Sequence, residues 1–120
     1  MASLLLVLPV MNLEQVNDEQ GIALIAAYLR KNGYIVDLIS VRTVADFDNI
    51  NLNKYSMVGI TAYHENIPYV YEMCKYIKVK SNVLICLGGY SATYYYKEIL
   101  KECPEVDLII TSPPYVTSYE

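Results

Sequence analysis

Histidine is nearly absent from this chain: His64 is the only one among 120 residues. Charge is scarce too, at 18% Asp, Glu, Lys and Arg, and the nine basic residues are scattered along the sequence. Phosphate neutralisation needs grouped Lys and Arg, so nucleic acid is not an expected partner. The same scatter, with a formal net charge of -4, leaves no basic helix to lie on a membrane surface. No apolar run reaches the ~18 residues of a transmembrane helix. The first ten residues lack the basic start and small-residue cleavage site of a signal peptide. Cysteine is sparse: Cys74, Cys86 and Cys103 are spaced as neither a C-x-x-C pair nor a zinc site. They read as reduced core residues of a cytoplasmic protein.

Whole motifs are missing as well. There is no G-x-G-x-x-G and no G-x-x-x-x-G-K-[ST], so dinucleotide and nucleotide cradles are unsupported. There is no G-x-S-x-G nucleophile elbow. A phospho-acceptor receiver would carry an aspartate after strand one and a lysine after strand five; those positions hold Pro9 and Thr111-Ser112.

What is present is apolar and periodic, with hydrophobic residues making up 54% of the chain. Five short apolar runs, at 4–8, 35–39, 57–61, 83–87 and 106–110, alternate with helical patterns. Near-continuous apolar strands suit a parallel sheet covered on both faces. Helix one carries Ile22, Ile25, Ala26 and Leu29 on one stripe and stops at Asn32-Gly33. A later helix carries Ile67, Val70, Cys74 and Ile77, with Asn66 as its cap and Pro68 in its first turn. The last starts near Ser91, carries Tyr96, Ile99, Leu100 and Cys103, and stops before Pro104. Residues 43–52, with Val44, Phe47 and Ile50, suit a short helix between strands two and three. The expectation is a single α/β domain over 1–120, with an irregular tail at 111–120. Its fold is a three-layer, flavodoxin-like or Rossmann-like five-stranded parallel sheet of order 2-1-3-4-5. In such sheets ligands bind beyond the carboxyl ends of the strands, at the switch between strands one and three.

Two loops then face a ligand, 9–20 and 62–65, with 88–90 as their neighbour. The first is long for a βα connection, where about two to six residues are usual. It holds no histidine, lysine or glycine before Gly21, so it offers neither a phosphate cradle nor an imidazole. Its Asn12, Gln15 and Asn17 suit neutral hydrogen bonding, and Glu14, Asp18 and Glu19 lack EF-hand spacing. Thr61-Ala62-Tyr63 leaves room at Ala62 and offers hydroxyls on either side. Gly88-Gly89 lets the backbone turn sharply and approach a flat ligand closely. His64 could ligate a metal or move a proton, but Glu65 is its nearest acid and no second imidazole or thiol is near in sequence. Thirteen tyrosines, including Tyr94-Tyr95-Tyr96, supply residues apt for an interface, including a homodimer.

Four stretches resemble the cobalamin-binding domain at the amino end of B12-dependent radical SAM enzymes. They are GIALIAAYLRKNGYIVD at 21–37, MVGITAY at 57–63, CLGGYSAT at 86–93 and EVDLII at 105–110. The resemblance covers residues 3–110. It implies a corrinoid over the carboxyl edge of the sheet, with its nucleotide tail entering beside the switch point. Asn12, Leu13, Asn17 and Gly21 would line the lower corrin face and the tail entrance. Thr61, Ala62 and Tyr63 would line the cleft from strand three, and Gly88, Gly89 and Tyr90 would flank the tail from strand four.

The chain lacks the D-x-H-x-x-G motif of the methionine-synthase and mutase branch, so no histidine from that loop would ligate cobalt. It also lacks C-x-x-x-C-x-x-C, so no iron–sulfur cluster is expected in it. The resemblance therefore implies a corrinoid carrier, free-standing or truncated, that presents its cofactor to a radical SAM or methyltransferase partner. Two other readings stand beside it. One is a cofactor-free interaction domain whose cleft is filled by its own side chains. The other is a small-molecule enzyme built on His64, Glu65 and Glu14.

Overall fold

The computed structural model describes residues 3–10, 19–62 and 66–110. Five strands form one all-parallel sheet: β1 (Ser3–Pro9), β2 (Ile35–Val41), β3 (Met57–Thr61), β4 (Leu84–Gly88) and β5 (Leu108–Ile109). Their order is β2-β1-β3-β4-β5, the flavodoxin-like α/β arrangement. The helices are α1 (Glu19–Lys31), α2 (Ile67–Lys80), α3 (Tyr90–Tyr94) and α4 (Tyr96–Glu102).

Parallel register puts paired residues on the same face. Leu5, Val7, Val58, Ile60, Ile85 and Leu87 share one face and are fully or almost fully buried. They pack with Val70, Met73, Cys74 and Ile77 of α2, Ala92 of α3 and Ile99 of α4 into one core. Each such large aliphatic side chain contributes ~1.5–3 kcal/mol on burial.

The opposite face holds Leu4 and Leu6 of β1, Met57 and Gly59 of β3, and Leu84 and Cys86 of β4. Among the described elements, α1 is the helix on this face. Its Ile22 and Ala26 are buried there with Leu8 and Val36. Over the far strands the cover runs out: Leu84 is 46% exposed, Leu108 47% and Ile110 65%. Among the described elements the two faces of the sheet are therefore unequally covered.

Local chemistry explains the element ends. The last turn of α1 closes through Tyr34 N–H to Leu29 O and Gly33 N–H to Arg30 O, with Gly33 at φ +94°. This is the crossed bonding of a left-handed helix terminus, which glycine adopts without strain. The Arg30 guanidinium donates twice to Val36 O, at 3.1 and 2.6 Å. It thereby occupies a carbonyl on edge strand β2 that could otherwise pair with another chain. Where one short helix was expected over 43–52, two 3-10 helices form, Val44–Asn49 and Leu52–Lys54, with Phe47 buried at the core.

Several sequence expectations are corrected. Asn66 is the N-cap of α2 and Pro68 lies in its first turn, as expected, but the Asn66 side chain makes no capping bond; its amide donates to Thr61 O at 3.2 Å. The last helix is two helices, broken at Tyr95. Within α4 and its C-cap, Ile99 and Cys103 are buried while Tyr96 and Leu100 are exposed. β5 begins at Leu108 because Asp107 intercepts the ladder. Its carboxylate accepts from Ile85 N–H at 2.8 Å and from Lys78 Nζ at 2.7 Å. Partial burial works against that carboxylate, but Lys78 and the Ile85 N–H outweigh it and hold Asp107 below the usual carboxylate range. The tyrosine run 94–96 is exposed at all three positions. All three cysteines are free and buried.

Candidate functional site

The carboxyl edge is built by three strand ends. β1 ends at Pro9, and Val10 N–H continues the pairing to Val41 O at 2.9 Å. β3 ends at Thr61, and Ala62 N–H donates to Gly88 O at 2.8 Å, so the β3–β4 ladder extends one residue further. Buried Asn66 holds Thr61 O and ties the start of α2 to this edge.

Gly88 and Gly89 do different work. Gly89 has φ +105°, and an added Cβ would lie 2.8 Å from Ala62 O and 3.3 Å from Thr61 Cγ2. Only glycine allows the chain to turn there against the end of β3. Its carbonyl accepts from both the N–H and the hydroxyl of Thr93, each at 3.1 Å, which fixes the turn into α3. An added Cβ at Gly88 meets nothing within 4 Å. Gly88 thus keeps open space beside it.

That space is a cavity of about 500 Å³ between α1 and the half-covered face of the sheet. Its α1 wall is Ile22, Ile25 and Leu29; its floor is Leu4, Leu6, Met57, Gly59 and Cys86. Thr61, Gly88 and Gly89 line it at the carboxyl end, and Tyr34, Ile60 and Ile110 complete the lining among the described residues. No lining residue is charged. Ile25, expected within the buried stripe of helix one, is exposed because it borders this cavity. Burial pushes the Cys86 thiol up, so it stands there as a neutral group. Gly59 interrupts β3 at the floor, where a Cβ would come within 2.9 Å of Leu6 Cδ2. The size is that of a small-molecule site, which spans roughly 300–1,000 Å³.

Of the residues singled out from the sequence, Thr61, Gly88 and Gly89 line the cavity, and Ala62 is buried against Gly89. Gly21 lies in the first turn of α1, and Tyr90 opens α3. Asn12, Leu13, Asn17, Tyr63, Glu14, His64 and Glu65 lie outside the described residues. Among the described residues no group of three His, Cys, Asp or Glu is placed to hold a metal ion. Likewise no described helix is long and apolar enough to cross a membrane. Sequence reasoning missed Leu4, Leu6, Met57, Gly59 and Cys86. A glycine inside a buried strand was the available signal, since it often marks close approach by a ligand.

Comparison with known proteins defines the class. The B12 binding domain family matches residues 7–113, and the chain belongs to that family. No curated protein sequence matches it. Among solved structures, it resembles the radical S-adenosylmethionine methyltransferase TsrM from Kitasatospora setae, solved with cobalamin and a [4Fe-4S] cluster. The TM-score is 0.67 at 14% identity, over 87% of this chain and 23% of that one. It is similar to a cobalamin-binding protein from Desulfitobacterium hafniense, at TM-score 0.67 and 13% identity, over 92% of this chain and 53% of that one. The response regulator TrrA from Thermotoga maritima shares the fold too, at TM-score 0.61 and 19% identity, over 98% of this chain and 93% of that one. The chain thus spans about a quarter of TsrM and about half of the cobalamin-binding protein.

Proposed function

We propose that this chain binds a corrinoid, cobalamin or a close analogue, and presents it to a radical SAM or methyltransferase partner. The observation that carries the reading is the glycine-floored apolar cavity opening at the switch edge of a B12-binding-family fold. A side chain at Gly59 or Gly88 would take up part of that cavity. The residues present therefore fit the aromatic tail of a corrinoid, with Ile22 and Leu29 on one side and Leu6 and Met57 on the other.

Each group has a part in holding it. Gly88 and Gly89 bring the backbone close to the tail, and Thr93 fixes that turn through Gly89 O. Thr61 offers a hydroxyl at the mouth. Asn12, Leu13, Asn17 and Gly21 are assigned to the lower corrin face, Tyr63 to the cleft from β3, and Tyr90 to the flank of the tail. The α1 wall excludes water from the apolar part of the ligand. The cobalt chemistry is supplied by the corrinoid when bound; this chain orients it.

The test is titration of the purified chain with hydroxocobalamin, recording the visible spectrum before and after gel filtration. Stoichiometric colour co-eluting with the protein is expected, with bands showing that benzimidazole has left cobalt. A folded sample that retains no corrinoid would overturn the reading in favour of a cofactor-free interaction domain.

A further inference from the structure

We infer that Cys74 and Cys103 are a paired dithiol, which a low-molecular-weight disulfide such as oxidised glutathione converts to an internal disulfide that ties α2 to the end of α4. Corrinoid binding plays no part in it, so the two readings stand or fall separately.

Two elements far apart in sequence bring the thiols together. Cys74 lies on the buried stripe of α2 with Val70 and Ile77, and Cys103 is the C-cap of α4. Both are fully buried in the same core. Beside them the Tyr71 hydroxyl donates to the Glu102 carboxylate at 2.8 Å. That bond holds α2 to α4 one helical turn from Cys74 and one residue from Cys103. The two thiols hydrogen-bond to each other, and Cys103 Sγ lies 3.5 Å from Glu105 Oε1. Cys86 is on the opposite face of the sheet, at the cavity floor. The sheet therefore lies between it and the pair.

The two thiols are not equivalent. Cys74 donates to Cys103, which keeps the proton on Cys74 and favours the thiolate of Cys103. The thiolate is the attacking form. Cys103 also lies nearer the surface: its neighbours Glu102 and Pro104 are exposed. The turn over it is held by Val106 N–H to Cys103 O at 3.1 Å. Local opening of such a turn costs less than unfolding the sheet, and it uncovers Cys103 first.

The chemistry is thiol–disulfide exchange. The Cys103 thiolate attacks one sulfur of the small disulfide. A mixed S–S bond forms, the reagent's own S–S bond breaks, and the first small thiolate leaves and takes up the proton that Cys103 lost. Cys74 Sγ then attacks Cys103 Sγ, and its proton goes to the second small thiolate as it leaves. Two protein thiols are oxidised, and one small disulfide is reduced to two thiols. The bridge encloses residues 74–103, a loop that contains β4, the Gly88–Gly89 turn and α3. Closing a loop of this kind stabilises the fold by restricting the unfolded chain.

The test is incubation of the folded wild-type chain with excess oxidised glutathione, alkylation of the remaining thiols in urea, and peptide mapping by mass spectrometry. A Cys74–Cys103 linked peptide is expected, at least ~10-fold more abundant than any bridge to Cys86, because disulfide geometry demands neighbouring sulfurs. The urea midpoint of the bridged protein should rise, and dithiothreitol should return it to its starting value. In Cys74→Ser no second thiol resolves the mixed disulfide, so glutathione should stay on Cys103. Bridges to Cys86 as abundant as the Cys74–Cys103 bridge would overturn the pairing. So would glutathione retained on wild-type Cys103 without a bridge, or two thiols left unoxidised. A bridged protein whose midpoint does not rise would overturn the tie between the helices. The wild-type map decides the pairing even if Cys74→Ser does not fold.

Discussion

Adjacent glycines with opposite duties make the sharpest prediction. Gly89→Ala forces an L side chain into φ +105° and sets a Cβ 2.8 Å from Ala62 O, a backbone atom that cannot swing aside. The left-handed backbone costs ~1–2 kcal/mol for a non-glycine residue. Relieving the overlap adds ~1–3 kcal/mol, as for other overpacked sites. The stiffer unfolded chain returns ~0.4–1 kcal/mol. The net loss is about 1–5 kcal/mol, centred near 3, and at about 4 °C per kcal/mol for a chain of this length the midpoint falls about 12 °C at the centre of that range.

Gly88→Ala has neither problem: its φ is ordinary and its Cβ enters open space. Its stability should be unchanged or raised by up to ~1 kcal/mol. Yet its methyl enters the cavity, so hydroxocobalamin should bind more weakly. Urea and thermal unfolding followed by far-ultraviolet circular dichroism measure the first effect, and the visible titration measures the second. Equal midpoints for the two variants, or a Gly88→Ala protein that loses stability while keeping wild-type corrinoid affinity, would refute the reasoning.

Other predictions are simpler. Gly59→Ala should cost under ~1 kcal/mol, because Leu6 can swing toward the cavity, while corrinoid affinity falls as the floor rises; urea melts and titration check both. Asp107→Ala removes an acceptor of two charge-assisted bonds and should cost ~1.5–3 kcal/mol at neutral pH. The folded Asp107 carboxyl is held low, so its contribution is present above about pH 4 and lost as pH falls through the folded value. The gap between wild type and variant, measured as urea midpoints, should therefore close in acid. Hydrogen bonding with Cys103 and burial push the Cys74 thiol up, and Cys86 is raised by burial. A thiol reagent should thus label Cys74 far more slowly in the native protein than in urea, where all three cysteines react; rapid native labelling of Cys74 would contradict its burial.

Much of the fold was legible because its strands are apolar almost throughout. β1, flanked by two strands, shows only Leu, Val and Ser–Pro ends, which is what burial on both faces demands. Glycine and proline marked the turns, and Gly33 ended α1 where expected. The β5 boundary was less legible. Asp107 looks like a loop residue in sequence, and only its bond to Ile85 N–H shows it replacing a rung of the ladder. The break at Tyr95 was hidden likewise, since a tyrosine run carries no helix-stop signal.

The candidate site divides in the same way. The alternating elements determined that Thr61, Gly88 and Gly89 stand at the carboxyl ends of parallel strands, and the observed order β2-β1-β3-β4-β5 makes those strands neighbours. Glycine chemistry determined that the β4 turn could be tight. Whether Leu6, Met57 and Cys86 would be core or cavity wall was beyond the sequence, since apolar periodicity tells which face a residue takes and not what covers it. The tertiary structure decided that. Among the described elements, α1 covers β1 and β2 and the face of β3 to β5 is half open, and Gly59 supplies no side chain there.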